Sequence, residues 1–241
     1  VKGDTLASFS THPKEKKNKL KAEKGGNTHV WNTRGKGAEL LKGMVLWWAN
    51  LNGAKAVPGD YRVHLNVNGA DQSQQFKILP DPRAEVSVAD MQKQYDFITD
   101  VNTTVDRAHQ SIKKIRKIGM QLDTFMKQYK DDERTRELRD KAKKMKESFE
   151  AIEKALYQTK NRSSQDPLNF PIRLTNKLAH LNSLVSLDDF PPTVQDIQVK
   201  NELSQEINEQ LEAFDKLVDS EIEDFNTAFN QLNLNYLFIE E

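Results

Sequence analysis

The chain contains no cysteine, and its 241 residues carry equal numbers of basic and acidic side chains, 36 of each. The absence of cysteine excludes disulfides, thiolate nucleophiles and cysteine-ligated zinc. The zero net charge lacks the basic excess that binding to a nucleic acid or an anionic membrane would require. No run of 18 apolar residues occurs, so the sequence predicts no membrane span.

The chain also lacks an initiator methionine and a signal peptide. It begins with Val1-Lys2-Gly3-Asp4 and passes at once into a strand-like run. We therefore expect a segment of a longer polypeptide, whose signal for a cellular compartment lies elsewhere. The composition alone fits a cytosolic protein and an exported bacterial protein equally well.

Residues 1–85 lack helical periodicity and are rich in glycine and Asn-Gly turns. Short apolar runs there predict three strands, at Thr5–Thr11, Asn27–Thr33 and Met44–Trp48. A β-hairpin follows the turn at Pro58-Gly59-Asp60. Five strands are fewer than the roughly seven of an immunoglobulin domain. The sequence therefore predicts an immunoglobulin- or fibronectin-like β-sandwich, incomplete at its N-terminus.

The hairpin is the strongest local pattern in this module. Asn68-Gly69 is a preferred two-residue turn between antiparallel strands. Before it, apolar and polar residues alternate with period two, which predicts one face directed to a core. The apolar members of the two strands are Tyr61, Val63, Leu65, Val67, Phe76 and Ile78.

Residues 86–241 have the apolar spacing of long amphipathic helices. Asp81-Pro82-Arg83 marks the join to the preceding module. We predict four helices, which run from about Ser87 to Lys130, from Asp132 to Thr159, from Pro171 to the break at Phe190-Pro191-Pro192, and from Thr193 to Asn233. The lengths favour an antiparallel bundle of three columns in which the second and third helices lie end to end. An up-down four-helix bundle is the alternative.

Residues that could carry chemistry do not form a recognisable motif. The five histidines lack metal-ligand spacing, and they are His12, His29, His64, His109 and His180. The acidic pairs Asp131-Asp132 and Asp188-Asp189 lie at or just before helix starts, where the helix dipole favours acids. These positions predict structural roles for both sets.

Two glycine clusters, Gly25-Gly26 and Gly35-x-Gly37, lack a following helix start, so they do not predict a phosphate cradle. No Gly-x-Ser-x-Gly nucleophile elbow occurs. The sequence therefore predicts no catalytic residue, no metal site and no cofactor.

The tryptophans are the best candidates for contact with a ligand. Trp31 is expected in the core of the sandwich. Trp47 and Trp48 are neighbours on a predicted strand, so their side chains should point to opposite faces and leave one exposed. An exposed indole there could stack on a sugar or contact another domain.

Four motifs in one order give the chain a resemblance to a known family. They are Gly26-Asn27-x-x-x-Trp31, Val57-Pro58-Gly59-Asp60-Tyr61-Arg62-Val63, Asp81-Pro82-Arg83 and Pro171-Ile172-Arg173-Leu174-x-Asn176-Lys177-Leu178. The chain resembles the C-terminal region of bacterial, Bacteroidetes-type BNR-repeat (sortilin-like "glycosyl hydrolase") proteins. The resemblance implies an upstream β-propeller in the same polypeptide and export to the periplasm or cell surface. The family's Asp-box repeats have no copy here, so no catalytic residues carry over.

Three functions follow as hypotheses. The first is a non-catalytic accessory region that spaces, docks or oligomerises the propeller protein, with self-association through the helices. The second is a carbohydrate-binding module that uses Trp47 or Trp48 on a glycan. The third is an enzyme in its own right, for which a cleft with paired carboxylates of perturbed pKa would be needed. The helical seams favour the first, because such seams indicate packing.

Overall fold

A computed structural model describes residues 4–12 and 18–234. The parts of the two predicted modules at residues 1–3, 13–17 and 235–241 lie outside this range. The described elements are strands β1 (Gly59–Val67) and β2 (Ala70–Ile78) and helices α1 (Val88–Gln128), α2 (Arg136–Leu156), α3 (Leu174–Val185), α4 (Val194–Leu217) and α5 (Glu223–Gln231). A π-helical turn, Val218–Ile222, joins α4 to α5. The chain is therefore mostly helical. In the described residues α4, the π-helical turn and α5 are continuous, so the five α-helices form four segments beside one two-stranded sheet.

The helices begin and end within about one turn of the predicted positions. The side chain of Ser87 accepts a hydrogen bond from the Asp90 amide at the start of α1. At the start of α4, Thr193 and Asp196 form a capping box, in which each side chain accepts from the other's backbone amide. Both devices satisfy amides that lack a partner within the helix.

The helices share one apolar core. α1 packs against α2, α3 and α4, and both α2 and α3 also pack against α4. Arg116 of α1 pairs with Glu153 of α2, whereas Asn102 of α1 contacts Asn182 of α3. α2 and α3 therefore contact successive stretches of α1, whereas the three-column bundle layout stays a prediction. Phe149 and Phe214 are among the largest fully enclosed side chains and lie 5.8 Å apart between ring centroids.

The predicted β-sandwich is not confirmed. Within residues 4–12 and 18–234, the sheet consists of β1 and β2 alone. The three other predicted strands are irregular, and only isolated bridges, Ser10 with Lys19 and Arg34 with Lys55, occur near them. The apolar run at 44–48 misled the prediction because its backbone groups bond to helix side chains instead of to another strand.

Residues 34–57, which we call the strap, fold back on themselves against the helices. The Gly35 amide donates to the Ala54 carbonyl at 2.9 Å, and the Ala38 amide donates to Leu51 at 3.0 Å. A Cβ atom on Gly37 would lie 2.0 Å from the Leu51 carbonyl oxygen, so only glycine permits this approach of the backbones. Gly37 of the Gly35-x-Gly37 cluster thus has a packing role.

Apolar side chains of the strap enter the same core as the helices. They are Ala38, Leu41, Met44 and Ala54. The predicted division of the chain at residue 85 stays a prediction, but the hydrophobic core is continuous across it. The strap and the helices therefore bury their apolar surface together.

The hairpin has the predicted turn and alternation. Tyr61 lies opposite Phe76, and their rings stack with centroids 5.8 Å apart. Val63, Leu65 and Val67 are nevertheless 53%, 52% and 56% exposed, so the prediction that this face enters a core is wrong for them. Period two correctly assigned the side chains to one face, but within the described residues nothing covers it.

Candidate functional site

Trp47 and Trp48 lie on the strap where it crosses α3. The amide of Trp47 donates to Asn176 Oδ1 at 2.7 Å, and Asn176 Nδ2 donates to the Trp47 carbonyl at 2.8 Å. Asn176 is buried. One amide side chain thus satisfies both backbone groups of Trp47, as a neighbouring strand would.

The carbonyl of Trp48 is held by two further side chains of α3. Ser183 Oγ donates to it at 2.7 Å, and His180 Nδ1 lies 2.8 Å from it, which requires the tautomer protonated at Nδ1. Trp48 has a φ of +52°, which is rare for a bulky residue and persists only where the surroundings enforce it. The two bonds to α3 supply that constraint.

Asn50 completes the attachment. Its amide donates to the Ala179 carbonyl at 3.2 Å, and Asn182 Nδ2 donates to its carbonyl at 3.3 Å. Six hydrogen bonds therefore join residues 47–50 to α3, and we call this set the clasp.

The indole rings project away from the clasp. Trp48 is 74% exposed and Trp47 is 37% exposed. Their centroids are 6.2 Å apart, with the rings inclined at 64° in an edge-to-face arrangement. A regular strand would have directed one ring inwards, whereas here the left-handed conformation of Trp48 leaves both accessible. Their contact with a ligand stays a prediction.

A second attachment fixes the strap to α1. The Glu39 amide donates to Asp106 Oδ1 at 2.9 Å, and Gln110 Nε2 donates to Glu39 Oε2 at 2.7 Å. His109 Nδ1 lies 2.6 Å from the Glu39 carbonyl and donates to it. His109 is fully buried, and its Nε2 has no hydrogen-bond partner. Burial lowers the pKa of His109, although the bond to Glu39 opposes that shift.

Buried amide groups link the clasp to α1. Asn182 Nδ2 donates to Asn102 Oδ1 at 3.0 Å, and Asn102 Nδ2 donates to the Asn52 carbonyl at 2.9 Å. The sequence reasoning missed these residues. The available signal was the presence of Asn102, His109 and Asn182 among the apolar residues that line their helices. A polar residue in such a position needs a buried partner, and here the partner is usually strap backbone.

The cleft beside Tyr157 meets the strap at Gly43 and is lined by charged side chains of α1, of α2 and of the segment after α2. Arg116 Nε bonds to Glu153 Oε1 at 2.8 Å, and its guanidinium lies 5.7 Å from the centre of the Tyr157 ring. Lys154 pairs with Glu150 at 3.0 Å. The Tyr157 hydroxyl accepts from the Val45 amide at 2.9 Å. Arg116 and Lys154 pair with Glu153 and Glu150, whereas Arg162 donates to the Thr159 and Asn161 carbonyls. The charged residues that line the cleft therefore have one positive charge in excess, and the bond from Tyr157 to Val45 attaches the strap beside it.

The other predicted residues take structural positions. Trp31 is half-buried, not in a core, and its Nε1 donates to the Arg34 carbonyl at 2.9 Å. Asp132 caps a short 3₁₀ helix at Glu133–Thr135, and its bond with Arg134 lowers the pKa of that carboxyl. Asp189 pairs with Lys55 of the strap at 2.9 Å.

The described residues contain no group of three or more histidine, aspartate or glutamate side chains that could hold a metal ion. Among the same residues, none of the helices is long and apolar enough to cross a membrane. Comparisons with protein-family profiles, with curated proteins and with solved structures found no match.

Proposed function

We propose that this chain is a non-catalytic accessory region that acts as a rigid spacer in an exported, hydrolase-like BNR-repeat protein. The observation that carries the proposal is the clasp. It attaches an irregular segment from the N-terminal half of the chain to helices more than a hundred residues later.

The attachment is strong enough to fix the strap. A neutral hydrogen bond within a protein contributes about 1 kcal/mol net. The summed free energy of the six bonds of the clasp is therefore several times the thermal energy RT. The 41 residues of α1 extend about 60 Å at ~1.5 Å per residue. A structure attached to the strap would therefore have a defined position relative to a long rod.

The biological setting of the proposal depends on the resemblance. The ordered motifs from Gly26 to Leu178 support an upstream β-propeller as partner in the same polypeptide, and with it export to the periplasm or cell surface. Self-association through the helices belongs to the same proposal. The two histidines on the helices, His109 and His180, bond to strap backbone.

The rigidity of the strap is testable with spin labels, because a chain without cysteine can be labelled only where cysteine is introduced. Lys42→Cys on the strap and Met120→Cys on α1 place both labels at exposed positions. Pulsed electron-electron double resonance should give one narrow distance distribution. Adding Asn176→Ala and Tyr157→Phe, which remove bonds to Trp47 and Val45, should broaden it. Asn201→Ala, an exposed helical position, is the control.

A broad distribution in the labelled parent would contradict the spacer. Turnover of glycoside substrates by the purified chain would contradict the non-catalytic part of the proposal. Circular dichroism of each variant separates loosening of the strap from loss of the helices.

A carbohydrate-binding module is the second candidate, and the exposure of Trp48 on a fixed backbone favours it. Aromatic surfaces with constrained backbones bind with little loss of conformational entropy. Glycan-array binding that is lost on Trp48→Ala and kept on Leu187→Ala, at another highly exposed apolar position, would support this function. Equal binding by both variants, or none by the parent, would count against it.

A further inference from the structure

Strand β2 presents an unprotected edge. Among the described residues its ladder partner is β1 alone. Every residue from Ala70 to Lys77 is exposed, whereas β1 is partly covered at Gly59 and Tyr61. Exposed edges in natural proteins are usually blunted by proline, by bulges or by several charges. β2 contains no proline and no glycine in its nine residues, carries only two charges, Asp71 and Lys77, and forms a continuous ladder with β1.

The hairpin also lacks the support that a small sheet needs. A two-stranded hairpin is marginally stable in water, and three or more strands with an apolar face are required for independent stability. Here the apolar face carries Val63, Leu65 and Val67, each more than half exposed. Additional strands would therefore stabilise the hairpin.

The hydrogen-bonding groups of β2 alternate in direction. Asn68 and Gly69 have φ values of +52° and +88° and form a two-residue turn. The closing pair of such a turn, Val67 and Ala70, is hydrogen-bonded, so residues 70, 72, 74, 76 and 78 bond to β1. Residues 71, 73, 75 and 77 consequently direct their amides and carbonyls to the free edge.

We propose that β2 pairs antiparallel with β2 of a second copy of this chain, about a two-fold axis at Gln74. This register gives full overlap of the two strands. It places Asp71 opposite Lys77 of the other copy, twice by symmetry, and Ser73 opposite Gln75. The outward amides meet each other in these pairs, as an antiparallel ladder requires. On the other face, Gln72 lies opposite Phe76.

The charges on β2 indicate that its free edge binds β2 of a second copy. Shifting the register by two residues in either direction separates Asp71 from Lys77. Opposite charges therefore face each other, with both strands overlapping over their full length, only in the register with the two-fold axis at Gln74. The product is a four-stranded sheet in which the apolar faces of both hairpins lie on the same side, because directly opposed residues point to one face. The interface is isologous, which is the commonest kind in homodimers.

Sedimentation equilibrium of the purified chain tests the pairing. The parent should have a mass of twice 27.7 kDa at micromolar to millimolar concentrations. Asp71→Lys and Lys77→Asp each convert two attractions into two repulsions and should raise the dissociation constant roughly tenfold. The double variant restores opposite charges across the axis and should recover the parental dissociation constant.

The double variant also controls for damage inside the hairpin. Within one chain, Lys77 lies opposite Asp60 and Asp71 bonds to Asn66, and the exchange restores neither contact. Recovery of the dimer therefore reports pairing between copies. Gln75→Pro removes an outward amide without removing a bond to β1 and should leave a monomer.

A monomeric parent would overturn the proposal. The exposed apolar face of the hairpin would then be covered by another domain. A dimer unaffected by the charge reversals and by Gln75→Pro would also overturn it, and would locate the contact elsewhere, such as on the helices. Both outcomes leave the spin-label test of the spacer unaffected when the doubly labelled chain is diluted with an excess of unlabelled chain, because the measured distances then lie within one chain.

Discussion

Replacing Asn176 by alanine should cost the protein about 2 kcal/mol of its free energy of unfolding. The side chain makes two hydrogen bonds to Trp47, at 2.7 and 2.8 Å, and each neutral bond contributes about 1 kcal/mol. Asn176 is 3% exposed, so bulk water does not reach the two Trp47 backbone groups that its truncation leaves unpaired. An effect of this size is a substantial fraction of the stability of a typical domain.

Urea unfolding followed by two probes measures the loss. Far-ultraviolet circular dichroism reports the helices, whereas two of the three tryptophans, Trp47 and Trp48, report the clasp by fluorescence. In the parent both signals should change together, because strap and helices share one core. Asn176→Ala should lower the midpoint with an unchanged slope.

Asn201→Ala is the matched control, since Asn201 is helical but exposed, and should change stability by less than about 0.5 kcal/mol. Superimposable curves for Asn176→Ala and the parent would refute the reasoning that the clasp stabilises the fold. Fluorescence that changes well before the dichroism in the parent would show that the strap is not part of the cooperative unit.

Three further variants test the remaining parts of the structure. The contribution of neutral His109 to the free energy of unfolding should be complete above about pH 6.5, the ordinary pKa of histidine. It should fall as the pH decreases towards the lowered pKa of His109, because the unfolded chain then binds a proton that the folded chain does not. His109→Gln should flatten that dependence in urea titrations at pH 7.5 and 5.0, and an unchanged dependence would assign it to other groups. Thr193→Ala removes half of a capping box and should lower the free energy of unfolding by about 1 kcal/mol, whereas an unchanged midpoint would mean that α4 starts equally well without it. Phe149→Ala should cost about 3–5 kcal/mol in the same assay, and a loss below 1 kcal/mol would show that the core collapses around the site.

The helices were predictable because their information is local. The apolar spacing between Met91 and Tyr129 fixes one face of α1 wherever the helix is placed. Ser87 and Thr193 marked helix starts through side chains that bond within the same turn. The π-helical turn at Val218–Ile222 was not predictable, since the apolar spacing continues through it.

The strap was not predictable because its bonding partners are distant in sequence. Trp47 and Asn176 are 129 residues apart, and Val45 and Tyr157 are 112 apart. The local β propensity of the apolar run at 44–48 predicted a strand, in agreement with its composition. Tertiary bonds to helix side chains decided the conformation instead, including the left-handed backbone of Trp48.

Of the candidate site, the sequence singled out the two tryptophans but not the residues that hold them, and the contact of the tryptophans with a ligand stays a prediction. The sequence identified Trp47 and Trp48, and the structure places both at the surface. It could not indicate that Asn176, His180 and Ser183 hold them, since an asparagine or serine in a helix has many ordinary roles. Similarly, alternation assigned one face to Val63 and Leu65 but contained no information on what covers that face.

The separation of 129 residues between Trp47 and Asn176 also has a consequence for the order of folding. Contacts within the helices close short loops, whereas the clasp must close a loop that spans more than half of the chain. Long loops cost more chain entropy and form later on average. In stopped-flow refolding, helical dichroism should therefore return before the fluorescence of the two clasp tryptophans. During that interval the strap's apolar residues, among them Leu41 and Met44, would still be exposed to water, which makes this step the one most prone to aggregation.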